Sequence, residues 1–219
     1  MSDATTERQL RQRIATLGQR LYARGLSPGT SGNISVRLDE QSWLCTPTNS
    51  CMGELEPEAI SRLDWEGNHL GGEPPSKESF FHLAYYRHRP AAQAIVHLHS
   101  SYSSAVACLD DLDPHNALPP ITPYFVMRIG NLPLLPYRRP GDARLGDDIA
   151  RYASKHAAVL LANHGPVVTG KTLDATVSAA EELEETAKLY LLLRDKPYRE
   201  LTRSQIEELK EVFGAEWES

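Results

Sequence analysis

The chain has 219 residues, 41% of them hydrophobic and 24% charged, which suits a folded soluble protein and excludes a disordered, collagen-like or coiled-coil chain. Lys and Arg total 23 against 29 Asp and Glu, and the net charge of −6 argues against broad binding to nucleic acid or an anionic membrane. No run approaches the ~18 apolar residues of a membrane span, the opening MSDATTERQLRQR has no apolar signal core, and Cys45, Cys51 and Cys108 form no CxxC pair; one domain over 1–219 in a reducing cytoplasm is the expectation.

Residues 6–24 carry Leu10, Ile14, Leu17 and Leu21 at helical spacing, and Gly25 stands where a left-handed cap would end that helix. Residues 27–33 read as a turn-rich loop, 34–38 and 43–45 as strands, 46–53 as a turn cluster and 56–62 as a short helical or turn segment. Residues 64–72 read as a polar hairpin with Gly67-Asn68 at its tip. SKESFFHLAYYRHRP fits a helix with Ser76 as N-cap and Pro90 as stop. Residues 94–99 form a β-run and 101–108 a small-residue helix, followed by a loop over 110–123 with four prolines. Residues 124–129 and 132–135 read as paired strands and 142–154 as a helix. Residues 157–163 read as a buried strand, interrupted by His164-Gly165 and resumed at Val167-Val168. A long helix over 172–193 and a short one over 204–213 complete the order. This mixture without a strict βαβ rhythm predicts an α/β fold: a mixed, largely antiparallel sheet covered by helices on both faces.

The chemistry concentrates in a few residues. In AIVHLHS the strand alternation puts His97 and His99 on one face, with Val96 and Leu98 on the other. Two such imidazoles can converge on one ion, or they can be two partly buried histidines with backbone partners. His164 follows a buried strand, and Gly165 offers a backbone conformation closed to other residues. As a third nitrogen, His164 would complete a set of three protein ligands with an open position, the pattern of a catalytic zinc site. Glu78 stands at a helix start, where a carboxylate either stabilises the helix or meets a metal and moves a proton. His82, four residues on, is a rival ligand, although its setting among Phe81, Leu83 and Tyr85 favours a core-packing role. His69, His88, His115 and His156 read as surface residues. Loops 30–33 and 46–50, with Ser76 and Lys77, offer the hydroxyls, amides and charge that cradle phosphate, without matching the P-loop or GxGxxG patterns.

GTSGNISVR, TPT, the Ser-x-Glu helix start, HLHS and ANHG occur here in one order, and that order resembles the class II aldolase/adducin family from about Leu10 to Leu193. The resemblance implies an α/β/α sandwich on a mostly antiparallel sheet, and a homotetramer with sites between subunits. It implies zinc, or another divalent metal, on His97, His99 and His164. Glu78 would be the acid/base residue and an added ligand of the resting metal, and Asn33, Thr48 and Ser76 would line the substrate phosphate. Adducin-like members lack the metal histidines that this chain keeps, so the resemblance implies an enzyme.

Aldolase members usually show Ser-Ser-Glu where this chain has Ser76-Lys77-Glu78, and often a glycine where it has Asn49. The Ser-Lys-Glu start, with TPYFVMRIGNLPLLPYRRPGD downstream, is more similar to the 3-oxo-tetronate 4-phosphate decarboxylase branch. In that branch a tyrosine of the TPY segment, here Tyr124, is the proton donor. The resemblance thus implies zinc-dependent loss of CO2 from a phosphorylated sugar acid, giving dihydroxyacetone phosphate through a metal-stabilised enediolate. The alternatives are an aldolase for a deoxy-ketose 1-phosphate, which makes the same enediolate, and a metal-free adducin-like interaction module. Lys77 could hold the carboxylate, reinforce phosphate binding, or be a solvated helix-start lysine.

Overall fold

In the computed structural model, which describes residues 3–218, the first helix α1 (Asp3–Ala23) buries Ile14, Leu17 and Leu21. Its end follows from one glycine. Gly25 sits at φ 74° and donates to the Tyr22 carbonyl, while the Leu26 amide reaches the Leu21 carbonyl, which is the paired bonding of a Schellman cap.

The strands β1 (Asn33–Arg37), β2 (Ser42–Cys45), β3 (Ser61–Asp64) and β4 (His69–Gly71) come next, then helix α2 (Ser79–His88) and β5 (Ala94–His97). After them come α3 (Ser101–Ala107), α4 (Pro123–Arg128), β6 (Leu134–Leu135), α5 (Arg144–Ala153), β7 (Ala158–Leu161), β8 (Gly165–Gly170), α6 (Leu173–Leu193) and α7 (Arg203–Phe213). The described residues form an eight-stranded sheet in the order β4-β3-β2-β1-β5-β8-β7-β6. Every neighbouring pair is antiparallel except β6 with β7.

Strand alternation splits the core in two. Ile34 and Val36 of β1, Ala94 and Val96 of β5 and Val168 of β8 face α1, α3, α4, α6 and α7. Trp43 and Cys45 of β2, Ile95 of β5 and Val167 of β8 face α2 and α5 through Phe81, Tyr85, Leu145 and Ile149. This is the expected three-layer α/β/α sandwich on a mixed, mostly antiparallel sheet. The second face carries polar residues in the same alternation. Asn33 lies opposite His97 in the β1–β5 register, and Ser35 follows Asn33 two residues on.

Three expectations between residues 122 and 168 differ from the structure, and residues 61–62, expected in a helical or turn segment, open β3. Residues 124–129 are not a strand: Thr122 caps α4 by accepting from the Phe125 amide, and Pro123 occupies the first turn, where its missing N–H costs nothing. Leu134–Leu135 therefore pairs with β7, in parallel, rather than with 124–129. The chain also reverses at 162–164 instead of resuming one strand, so β7 and β8 are antiparallel neighbours. The left-handed residue of that reversal is Asn163, at φ 57°. Gly165 serves a different need, because a Cβ there would lie 2.3 Å from the Leu98 carbonyl oxygen.

Candidate metal centre

His97 ends β5, and His99 lies just beyond it, so the two keep the shared face that alternation predicts. His164 comes from the β7–β8 turn. That turn is pinned by α3: the Asn163 amide donates to the Ala107 carbonyl at 2.9 Å and Ser104 Oγ to the His164 carbonyl at 2.9 Å. The three Nε2 atoms converge. They are separated by 3.0 Å for His97–His99, 3.3 Å for His97–His164 and 2.9 Å for His99–His164. Glu78, at the N-cap of α2, offers Oε2 at 3.5 Å from His97 Nε2 and Oε1 at 3.4 Å from His164 Nε2.

The donor chemistry of this group suits a divalent cation. His97 is fully buried, and its Nδ1–H donates to the Pro166 carbonyl at 2.8 Å, which leaves a lone pair on Nε2 aimed at the other two rings. Burial, then His164 and His99, hold His97 well below the usual imidazole range, and burial also lowers His99 and His164. Each of these shifts favours the neutral form that ligates. Three lone pairs cannot satisfy one another, whereas four ligands about 2.0–2.1 Å from a tetrahedral ion lie about 3.3 Å apart, close to the spacings here. Glu78, His97, His99 and His164 can hold a metal ion together, with ligand atoms all within 4.8 Å of one another.

Behind this cluster lies a polar wall that sequence reasoning missed. Asn33 is 3% exposed, and its Nδ2 donates to Glu78 Oε2 at 2.7 Å and to Ser76 Oγ at 3.2 Å. Its Oδ1 lies 2.6 Å from His82 Nε2. His82 Nδ1 meets Ser35 Oγ at 2.7 Å, and Ser35 Oγ meets the Tyr86 hydroxyl at 2.9 Å. His82 is therefore buried but not idle, and it lies outside the metal-ligand group. The helical spacing of His82 and Tyr86 was a signal for a shared face toward the sheet; their link to Asn33, 49 residues from His82, was not.

The other expected residues are placed as follows. Ser76 reaches the site only by its bonds to Asn33 and to the Glu78 amide, so it stands two residues ahead of the helix cap it was expected to form. Thr48 is half-buried, and its amide donates to the Pro74 carbonyl at 2.9 Å, which ties loop 46–50 to the strand-like approach to Ser76. Asn49 sits at φ 58°, a conformation that glycine and asparagine tolerate best. Lys77 is exposed and makes no hydrogen bond or ion pair with described residues. Tyr124 is 55% exposed on α4, with Arg128 over its ring at 5.2 Å, and makes no contact with the histidine cluster within this chain. His69, His88 and His115 are exposed as expected; His156 is half-buried instead, packed on Tyr152.

Comparison with known proteins places the chain in a family. The family model described as the class II aldolase and adducin N-terminal domain matches residues 12–191. A 3-oxo-tetronate 4-phosphate decarboxylase from Pectobacterium atrosepticum is 51% identical over 94% of this chain and 94% of its own. The crystal structure of YgbL from Escherichia coli superposes with a TM-score of 0.91 at 47% identity, covering 93% of this chain and 99% of that one. An L-fuculose phosphate aldolase from Escherichia coli is more distant, 35% identical over 76% of this chain and 75% of its own.

Proposed function

Because the chain belongs to the class II aldolase and adducin family, in which it is an enzyme of carbon–carbon bond cleavage, we propose that it removes CO2 from a 3-oxo-tetronate 4-phosphate and releases dihydroxyacetone phosphate. The observation that carries this reading is the convergence of Glu78 with three imidazoles, in a chain far more similar to a decarboxylase than to the aldolases. We read residues 1–219 as one catalytic domain built on the single sheet.

His97, His99 and His164, with Glu78 in the resting site, would hold a divalent ion, which we take to be zinc. When bound, that ion supplies a Lewis acid for the negative charge that develops on the substrate oxygens. The rest falls to side chains. The C1–C2 bond breaks, its electron pair moves onto C2 in conjugation with the C3 ketone, and CO2 departs. A proton delivered to C2 completes dihydroxyacetone phosphate. Tyr124 is the donor in this reading, and Glu78 is the acid/base residue held over the reacting atoms by Asn33. Thr48 and Ser76 line the phosphate, and Asn33 stands behind them with its amide N–H groups on Glu78 and Ser76. Exposed Lys77 takes the second anionic end of the substrate, or reinforces the hold on phosphate.

Tyr124 is exposed in one chain, and Leu189 and Leu192 leave apolar surface at the end of α6; both support a homotetramer in which Tyr124 completes a neighbour's site. Among the described residues no helix is long and apolar enough to cross a membrane. From the composition and the net charge of −6 we read the protein as a cytoplasmic enzyme that engages neither membrane nor nucleic acid. The test is to incubate the metal-loaded protein with 3-oxo-tetronate 4-phosphate. Equimolar CO2 and dihydroxyacetone phosphate are expected. Cleavage of a deoxy-ketose 1-phosphate with no CO2 from the sugar acid would make it an aldolase instead.

A further inference from the structure

The polar wall has a direction. Asn33 Nδ2 faces two oxygens, Glu78 Oε2 and Ser76 Oγ, so the Asn33 amide oxygen must face His82. An amide oxygen only accepts, which puts the His82 proton on Nε2. Nδ1 then accepts from the Ser35 hydroxyl, and Ser35 in turn accepts from Tyr86. The hydrogen-bond directions along Tyr86–Ser35–His82–Asn33–Glu78 are thereby fixed, with Ser76 Oγ as a second acceptor for Asn33 Nδ2. Burial, with His97 adding to it, keeps His82 neutral by pulling it down to about 3. A neutral imidazole has one donor and one acceptor, and this chain uses both.

We propose that His82 is a positioning residue for the reaction assigned above: its Nε2–H locks the Asn33 amide so that Asn33 Nδ2 holds the Glu78 carboxylate over the three-histidine cluster. Without that donor the amide is free to turn its oxygen toward Glu78, where two acceptors would oppose each other. The backbone already fixes the Asn33 Cα, opposite His97 in the sheet, so what His82 fixes is the last torsion of the side chain. Glu78 has no cap bond from its own carboxylate to α2, so Asn33 is the contact that aims it.

The inference rests on the proposed role of Glu78, and its test has one arm that needs no substrate. Long-range 1H–15N NMR of the whole protein reads the tautomer of His82, with the signal assigned by its loss in His82→Gln. The Nε2–H form is expected; an Nδ1–H form would overturn the proposal. The second arm is kinetic. Met and Gln have similar length, and only Gln can donate from near the Nε2 position. His82→Met should lower kcat by about 10- to 100-fold, the usual cost of losing a partner that orients a ligand or acid, with KM and bound metal unchanged. His82→Gln should recover most of that loss. In the Asn33→Ala background, His82→Met should cost nothing more, because its effect passes through Asn33. Losses that multiply, or equal losses in Met and Gln variants, would overturn it.

Discussion

On the α2 face of the sheet two fully buried imidazoles both touch Phe81, whose ring stacks on His82 at 4.9 Å and meets the edge of His97 at 5.5 Å. Burial lowers the pKa of both. Their surroundings differ in one respect. His82 has a partner for each nitrogen, Ser35 and Asn33, whereas His97 satisfies Nδ1 on a carbonyl and turns Nε2 toward two other imidazole nitrogens. A buried polar group that is fully matched holds structure, while one left facing like groups marks a place for something else. Burial alone would not have separated the two histidines; the identity of the atoms opposite each nitrogen does.

Glu78 belongs to both regions, and altering it gives the largest expected effect. Glu78→Gln keeps the shape and removes the base, so turnover should fall by about 100- to 10,000-fold in steady-state assays with the fold intact. Near-normal turnover would leave Glu78 a helix-start residue and dissolve the distinction between the reactive cluster and the wall behind it.

The contrast between matched and unmatched groups continues at the adjacent pair Ser76 and Lys77, the first bonded to Asn33, the second exposed and unpartnered among the described residues. A lysine that binds a substrate carboxylate contributes a charge-assisted bond, and its loss costs about tenfold or more. Lys77→Ser should therefore cut decarboxylation by that factor while sparing any weak ketose 1-phosphate cleavage. Equal losses in both activities would assign Lys77 to the phosphate.

A third prediction concerns pH and follows from the lowered pKa of His82. The unfolded chain, with imidazole near 6.5, binds a proton that the folded chain refuses until about 3. Between those values the unfolded state holds more protons, so stability rises with pH and is lost as pH falls through that window. Denaturant titrations from pH 6.5 down to about 5.5, above the carboxylate range, should show the onset of this loss. The slope should be shallower in His82→Gln, which has no proton to gain. An unchanged slope would mean that burial does not hold His82 neutral in the folded chain.

The smallest effect is expected outside both regions, at Asn49. Its φ of 58° is already a glycine-like conformation, so Asn49→Gly should leave turnover unchanged and move stability by less than ~1 kcal/mol in chemical denaturation. Asn49→Val, with a branched Cβ in the left-handed region, should cost about 1–2 kcal/mol. The aldolase-like glycine is thus a substitution within one backbone shape.

What was legible in the sequence had a short-range cause. Alternation put His97 and His99 on one face, Gly25 marked the end of α1, and Pro90 bounded α2, which ends at His88. Thr122-Pro123 carried an N-cap and first-turn signal for α4, outweighed in the sequence by the apolar run that follows it. The β7–β8 reversal was hidden because Asn163, not a glycine, takes the left-handed position. The wall was not legible, since Ser35, Asn33 and His82 meet only after β1 and α2 pack across the sheet. Tyr124 was named from a resemblance, and nothing local to one chain brings it to the cluster.

The central claim is that His97, with His99 and His164, is a ligand and His82 is not. Metal per subunit, measured after purification in zinc and exhaustive dialysis, tests it directly on wild type, His97→Ala and His82→Gln. The expected result is about one ion in wild type and in His82→Gln, and almost none in His97→Ala, because a three-imidazole set loses its hold when one ring is removed. Full occupancy in His97→Ala together with loss in His82→Gln would contradict the account.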